Sequence, residues 1–349
     1  MGHLNELPPA QALSPLEFKL LNNYQRDFPL RACPYAALAR ELEVDESAVM
    51  DALQSLRQRG LVSRIGAVFR PNVIGVSALA ALAVPPERLE QVAAWVSALT
   101  EVNHNYQREH HFNLWFVLTA ASAAHLQTLL QRLETHCDCG PVLVLPLLEQ
   151  FHIDLGFGLA PGATPPLQRL IAAPTEVAAI ELTAPERAFM AVLEQGLPLV
   201  SQPFAALGWP EAEALALLAR WTDGGVIKRF GVVVRHHELG YTANAMVVWD
   251  VPDAVVSDLG QRLATSGQVN LCYRRPRVLP HWPYNLFCMI HGKNRAEVEQ
   301  RIAELTQAFA MQAYPQQILF SCRRFKQCGA RYASPAHHDP VPELAHGPD

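Results

Sequence analysis

Part of this chain occurs twice. Gly60-Leu-Val-Ser-Arg-Ile-Gly-Ala-Val-Phe-Arg70 matches Gly225-Val-Ile-Lys-Arg-Phe-Gly-Val-Val-Val-Arg235, so that Arg64, Gly66 and Arg70 fall on Arg229, Gly231 and Arg235 at one constant offset. Val102-Asn-His-Asn-Tyr-Gln-Arg108 then pairs with Val269-Asn-Leu-Cys-Tyr-Arg-Arg275, and Phe112-Asn-Leu-Trp-Phe116 with Tyr284-Asn-Leu-Phe-Cys288. Between those last two blocks the second copy is five residues longer. Self-similarity over this range means a duplicated folding unit, and it constrains the architecture before any motif is considered. At 349 residues the chain accommodates two copies of ordinary domain size.

Within each copy the periodicity changes partway. Ser14-Pro-Leu-Glu-Phe-Lys-Leu-Leu offers a capping serine, proline at the first helical position and apolar residues at helical spacing, and Thr183-Ala-Pro-Glu-Arg-Ala-Phe-Met repeats the pattern. Tyr35 to Leu42 and Asp45 to Arg59 supply two further helices around a break at Glu43-Val44, and Leu61 to Phe69 then reads as strands. Three helices and a β-wing make a winged helix-turn-helix. After it come a strand (Ser77 to Val84), a helix (Pro86 to Ser97), two strands (Val102 to Gln107 and Asn113 to Thr119), a helix (Ala123 to His136) and a strand (Val142 to Phe151). That βαββαβ order is the ferredoxin-like fold. The fold class is therefore α+β, a tandem repeat with a winged helix-turn-helix at 14–70 and 183–235 and a ferredoxin-like domain at 71–155 and 236–330. Residues 156–182, with Gly-Leu-Ala-Pro-Gly-Ala-Thr-Pro-Pro at their start, read as a linker, and 331–349 as a disordered tail.

Composition narrows the function classes. Half of the residues are hydrophobic and 17% are charged, which excludes a disordered polyelectrolyte. No run reaches the roughly 18 apolar residues of a membrane span, and Met1 to Pro15 lack a secretory signal, so no membrane association and a cytoplasmic location are expected. Seven cysteines without a C-x-x-C pair predict neither a structural metal site nor a disulfide framework. No P-loop, dinucleotide fingerprint, nucleophile elbow or zinc-protease helix is present. A net charge of −5 supplies no general attraction to phosphate backbones. The expected recognition helix begins Asp45-Glu46, with Arg57 and Arg59 only near its far end, and its counterpart has Glu211 and Glu213 ahead of Ala214 to Ala219. Carboxylates would meet phosphates there, so DNA binding is not expected and the helix-turn-helix units read as scaffold or dimerisation elements.

The chemistry-bearing residues lie after the third strand block of each copy. Tyr106-Gln-Arg-Glu-His-His-Phe-Asn113 places Tyr106, Arg108, His110 and His111 close together, in a loop where packing does not demand them. Neighbours on an extended chain face opposite sides, so the two histidines need not share a site, but one should face any pocket. Histidine serves near neutral pH as a carboxylate-binding cation or a proton donor, and the plain alternative is a surface loop. The second copy offers Arg274, Arg275, Arg277, His281 and Trp282, combining guanidinium forks suited to carboxylates with a plane suited to a flat conjugated ligand. Arg64, Arg70, Arg229, Arg235, His236 and His237 extend this cationic lining, unusual in an acidic chain. A planar polycarboxylate fits it, and ordinary solvated charge is the alternative. Asn113 and Asn285 sit where strands begin and are expected to satisfy turn backbone. Trp115, Phe116, Trp249 and Phe287 are expected in the core.

The runs Arg64-Ile-Gly-Ala-Val-Phe69, Asn103-His-Asn-Tyr-Gln-Arg-Glu-His-His-Phe-Asn-Leu-Trp-Phe116, Cys272-Tyr-Arg-Arg and His281-Trp-Pro-Tyr-Asn-Leu-Phe-Cys-Met-Ile-His291 resemble the siroheme decarboxylases. These are Lrp/AsnC relatives of two similar subunits, here fused in one chain as in the heme d1 branch. The resemblance implies that two acetate side chains of siroheme become methyl groups, giving 12,18-didecarboxysiroheme, with no added cofactor because the iron belongs to the substrate. Loss of carbon dioxide leaves electrons on a carbon attached to a conjugated ring, and the macrocycle is then the electron sink. The protein must anchor the other carboxylates, for which Arg70, Arg108, Arg235, Arg274, Arg275 and Arg277 are candidates, and deliver a proton. His110 and His111 are the expected donors or acetate-orienting groups, supported by Tyr106 and Arg108. Pro283 takes the place of His111 when counted from the shared asparagine, so one competent site is expected, in the first copy and completed by basic residues of the second. The resemblance further implies that the two ferredoxin-like sheets pair within the chain, making a monomeric internal pseudo-dimer. A ligand-responsive transcriptional regulator of the same fold is the rival reading and predicts salt-dependent duplex binding. A tetrapyrrole carrier without turnover is a third.

Overall fold

The computed structural model describes residues 13–153, 177, 179–235 and 243–332. Most of the expected linker, the tail after 332, and His236 and His237 lie outside the described residues. The first copy runs α1 (Pro15–Asn23), α2 (Pro34–Leu42), α3 (Glu46–Gln58), β1 (Val62–Phe69), β2 (Val76–Leu82), α4 (Leu89–Ala98), β3 (Val102–Arg108), β4 (Leu114–Ala120), α5 (Ala123–Cys137), β5 (Leu143–Pro146) and β6 (Glu149–Ile153). The second runs α6 (Ala184–Leu193), α7 (Glu211–Asp223), β7 (Ile227–Val234), β8 (Ala243–Trp249), α8 (Val256–Thr265), β9 (Leu271–Arg274), β10 (Leu286–Gly292), α9 (Arg295–Ala308) and β11 (Gln316–Gln327).

Both copies open on the same local chemistry. The Ser14 hydroxyl accepts from the Glu17 N–H at 3.2 Å while the Glu17 carboxylate accepts from the Ser14 N–H at 2.8 Å. Thr183 and Glu186 repeat this reciprocal cap. Each exchange satisfies two backbone donors that a helix start otherwise leaves unpaired.

The chain divides into two compact units, and each takes a part from both copies: Met1–Val73 with Gly156–Tyr241, and Ile74–Leu155 with Thr242–Asp349. In the first, β1 and β7 pair antiparallel with Gly66 opposite Gly231. The expected wing is therefore not a local hairpin, because each copy supplies one strand and the other copy supplies its partner. Phe28 packs edge-on to Tyr35 and against Phe230, and Phe69 meets Trp221, so aromatic side chains of both copies fill one interior. The middle helix of the second copy shrinks to a 3-10 turn at Ala205–Leu207, closed by Gly208 at a left-handed φ of 71°. Pro203, just ahead of it, lacks the N–H that a longer helix would use.

The second unit is one nine-stranded ladder in the order β5-β2-β4-β3-β11-β8-β10-β9-β6. Each copy contributes a four-stranded ferredoxin-like sheet, β5-β2-β4-β3 or β11-β8-β10-β9. The strand expected over Val142 to Phe151 is broken: β5 pairs with β2 of its own copy, whereas β6 pairs with β9 of the other. β11 does both without a break, Gln316–Phe320 on β8 and Ser321–Gln327 on β3. Helices α4 and α5 cover one face of the first sheet over Val92, Val96, Phe116 and Leu133. Helices α8 and α9 cover the second over Leu259, Leu263, Cys288 and Ile302. The uncovered faces share a third core drawn from both copies, including Ala81, Trp115, Leu145, Val248, Phe287, Leu319 and Trp282. Burying a large apolar side chain stabilises by roughly 1.5–3 kcal/mol, so this shared layer is a substantial part of what holds the unit together. Among the described residues, no helix is long and apolar enough to cross a membrane.

Candidate active site

Strand β3 sorts its side chains by alternation. Asn105 turns toward α4, where its amide donates to the Ala93 carbonyl and the Ser97 hydroxyl, both at 3.0 Å. His104, Tyr106 and Arg108 therefore occupy the face that no helix covers. The His104 and Tyr106 rings stack 6.1 Å apart at 15°, and the Arg108 guanidinium lies 5.7 Å from the Tyr106 ring centre. Arg108 is buried; one arm donates to the Leu319 carbonyl at 2.9 Å and the other approaches Met289 Sδ at 3.9 Å. Burial pulls Arg108 down to about 10, so it remains a cation, and pulls His104 down to about 4, so that imidazole is neutral at neutral pH. Burial also pushes the Tyr106 hydroxyl up, keeping it protonated.

The turn that follows fixes His110. The Glu109 N–H donates to the Phe320 carbonyl at 3.0 Å, and the His110 N–H to the Arg108 carbonyl at 2.9 Å. The Phe112 N–H donates to His110 Nδ1 at 3.0 Å. A neutral imidazole accepting at Nδ1 carries its own proton on Nε2, so this hydrogen bond assigns the tautomer. Burial and the adjacent His111 hold the His110 pKa below its ordinary value. The ring meets Trp282 of the second copy edge-to-face at 5.4 Å and 78°. His111 is exposed, with its ring 5.3 Å from Phe112.

The second copy places Arg275 as the first places Arg108. Its Nη1 donates to the Leu145 carbonyl, and its guanidinium lies over Tyr273 at 5.2 Å and Phe287 at 5.9 Å. Burial lowers it to about 10 as well. Arg274 is held by Glu149 at 2.6 Å and Asp253 at 3.0 Å, and Arg277 by Asp250 and Asp253 at 2.6 and 3.0 Å. These two cations already have counter-charges, which pin the end of β9 and the loop after it to the start of β6 and to the segment between β8 and α8. His281 is exposed. Trp282, expected to touch a ligand, is fully buried against Trp115 at 5.1 Å, and its indole N–H donates to none of the described residues.

The four arginines of the first repeated block belong to the first unit. Arg64 donates to the Ala67 carbonyl at 2.7 Å, Arg70 Nε to the Gly225 carbonyl at 3.0 Å and Arg229 to the Gln25 carbonyl at 2.6 Å, while the Arg235 backbone N–H donates to the Leu61 carbonyl at 2.8 Å. Arg70 and Arg229 thereby tie Gly225 and Gln25 to the β1–β7 pair, whereas Arg64 bonds within β1 itself. Within the second unit the structure brings Tyr106, Arg108, His110 and Trp282 together. It adds His104, which sequence reading missed, although a step of two back from Tyr106 points to it. Asn113 and Asn285 do satisfy turn backbone, bonding both ways with Val84 and Val251. A hollow of about 420 Å³ beside α9, lined by Glu299, Ile302, Thr306, Gln312 and Ile318 among others, contains none of the expected site residues. Among the described residues, no group of three or more His, Cys, Asp or Glu side chains is placed to hold a metal ion.

Comparison with known proteins gives concordant matches. Residues 17–62 match the family model for the siroheme decarboxylase NirDL-like HTH domain, and residues 74–152 and 238–326 match the AsnC-like ligand binding domain. The chain is 44% identical over 326 residues to the siroheme decarboxylase NirDL subunit of Paracoccus denitrificans, covering 92% of this chain and 98% of that one. It is 31% identical over 322 residues to the siroheme decarboxylase of Hydrogenobacter thermophilus, covering 90% and 94%. Its fold matches a crystal structure of the siroheme decarboxylase NirDL with a TM-score of 0.68 at 29% identity, over 91% of this chain and 94% of that one. A structure of NirDL in co-complex with an iron-uroporphyrin III analogue matches over the same shares at 0.67 and 27% identity.

Proposed function

The chain belongs to the siroheme decarboxylase family in its two-copy NirDL form, and from that premise we propose that it is a carboxy-lyase converting siroheme to 12,18-didecarboxysiroheme in heme d1 formation. The observation that carries this reading is likeness along nearly the whole length of both chains, which leaves neither copy unaccounted for. The geometry supports it with a buried cation and a phenol on one sheet face and an imidazole of defined tautomer in the turn that follows.

In each decarboxylation the bond between the acetate methylene and its carboxyl carbon breaks. Carbon dioxide leaves and the electron pair passes into the conjugated pyrrole. Protonation of the methylene carbon then gives the methyl group, so each event consumes one proton. His110 supplies that proton from Nε2 of its imidazolium form, in which Nδ1 is protonated and releases the Phe112 N–H, and proton exchange with water then restores the resting Nε2–H tautomer. Its depressed pKa makes the imidazolium a stronger acid, and its neutral Nε2–H is the hydrogen bond that orients an acetate. Arg108 contributes a cation whose described partners are a carbonyl and a thioether rather than a carboxylate. A buried guanidinium left in that state is costly, and a substrate carboxylate offsets the cost. The macrocycle is the electron sink, so we assign no added cofactor.

Anaerobic incubation of the purified chain with reduced siroheme, followed by pigment mass spectrometry, tests the reading. The expected product has lost two carbon dioxide molecules, and an unchanged pigment mass rejects it. The rival, a ligand-responsive regulator, predicts salt-dependent duplex binding instead. The acidic starts of α3 (Glu46) and α7 (Glu211, Glu213) count against it.

A further inference from the structure

The ladder register permits a residue-by-residue comparison of the two inner faces. Ser321–Gln327 of β11 lies along β3 with Arg324 opposite Tyr106 and Gln327 opposite His104. β6 lies along β9 in the same way, with Gln150 opposite Tyr273 and Ile153 opposite Leu271. Each pairing carries a register shift at the corresponding step, Arg324/Lys326 and Gln150/His152. The two faces are thus positional equivalents. Tyr106 and Arg108 on one correspond to Tyr273 and Arg275 on the other, each arginine donating to the matching carbonyl, Leu319 or Leu145.

What differs is chemical. His104 is matched by Leu271, His110 by Trp282 when counted from the shared asparagine, and Arg324 by Gln150. Residues directly opposite on an antiparallel pair share a face, so Arg324 stands beside Tyr106 on the inner side. The neighbouring pair agrees: Lys326, opposite Asn105, turns to the helix side and donates to the Leu99 carbonyl at 2.7 Å. Arg324 is half-buried, its Nη1 donates to Gln327 at 3.1 Å, and its charge acts on the Tyr106 hydroxyl. On the second-copy face the position of Arg324 is held by Gln150, and the loop position of His110 by the buried Trp282.

We propose that Arg324 binds a carboxylate of the tetrapyrrole on the first-copy face, and that the second-copy face takes no substrate, so one chain holds one macrocycle. This rests on the siroheme reading above and adds to it a binding residue and a stoichiometry. Arginine's fork matches a carboxylate in two-point contact, which glutamine does not reproduce.

The test uses the full chain, titrated with siroheme by absorbance and assayed for conversion. Arg324→Gln, which installs what the second copy has, should weaken pigment binding about 10- to 100-fold, since charge-assisted hydrogen bonds contribute on the order of 1.5–3 kcal/mol. Arg324→Lys should recover part of it. Gln150→Arg, on the other face, should leave affinity and rate unchanged, and wild-type chain should saturate at one pigment. Circular dichroism and the unfolding midpoint, unchanged in Arg324→Gln, separate lost binding from lost fold. Unaltered affinity and conversion in Arg324→Gln overturn the assignment while leaving the activity standing, as does saturation at two pigments. A wild-type chain that neither binds nor converts siroheme overturns both together.

Discussion

His110 and His111 are adjacent in sequence and unequal in structure. His110 has its tautomer set by the Phe112 N–H and its ring held by Trp282, whereas His111 is exposed. His110→Ala should lower turnover about 10²- to 10⁴-fold, the usual range for a positioned proton donor, with pigment affinity within a few-fold. His111→Ala should change turnover far less; rates from pigment mass spectra check both, and the reverse ranking would exchange their roles. His104 makes a separate prediction about stability. Its folded pKa of about 4 lies below the ordinary value near 6.5, so between those values the unfolded chain binds the extra proton. Its contribution is complete above about pH 6.5 and is lost as pH falls toward 4, at no more than about 1.4 kcal/mol per pH unit. His104→Leu, the residue of the second copy, should flatten that acid-side decline in urea midpoints measured from pH 7 to 4. The sequence alone suggests that Tyr106, Arg108 and His110 belong together, because one short stretch of chain holds them. The engagement of Arg274 and Arg277 is not legible there, because Glu149, Asp250 and Asp253 reach them only through the folded ladder.

Helix starts were readable from sequence because a capping box is complete within four residues. Ser14→Ala removes the hydroxyl that accepts the Glu17 N–H and should cost about 1 kcal/mol, seen as a lower denaturation midpoint. Strand partners were not readable, since period-two alternation states which face a residue takes but not which strand lies beside it. Hence Leu61 to Phe69 reads only as a β-wing of unstated partner and Val142 to Phe151 as one strand, whereas β1 joins β7 and β6 joins β9. The matched glycines carry the same lesson. A Cβ on Gly66 would meet its nearest neighbours at 3.6 Å, an ordinary contact, but one on Gly231 would stand 2.4 Å from the Tyr24 carbonyl oxygen and 2.6 Å from the Gln25 backbone. Gly231→Ala should therefore destabilise by about 1–3 kcal/mol through overpacking, and Gly66→Ala by much less, although the repeat presents them as equivalents. Paired urea titrations decide it, and equal losses would contradict the packing argument.

Duplication explains why two sheets of similar sequence can complete each other. β3 of the first copy gains its outer partner from β11 of the second, and β9 of the second gains its partner from β6 of the first. The layer between them draws Ala81, Trp115 and Leu145 from one copy and Val248, Phe287 and Leu319 from the other. A copy expressed alone would bare that apolar face and leave an open strand edge, both of which drive association. Residues 1–170 and 171–349, produced as separate polypeptides, should each aggregate or self-pair when made singly, and should copurify as a one-to-one complex when made together. Because His110 comes from the first part while Trp282 and Arg324 come from the second, siroheme conversion should appear only in the mixed complex. The first part alone carries Tyr106, Arg108, His110 and His111, so activity from that part by itself would mean that the second copy contributes neither structure nor binding to the reacting site.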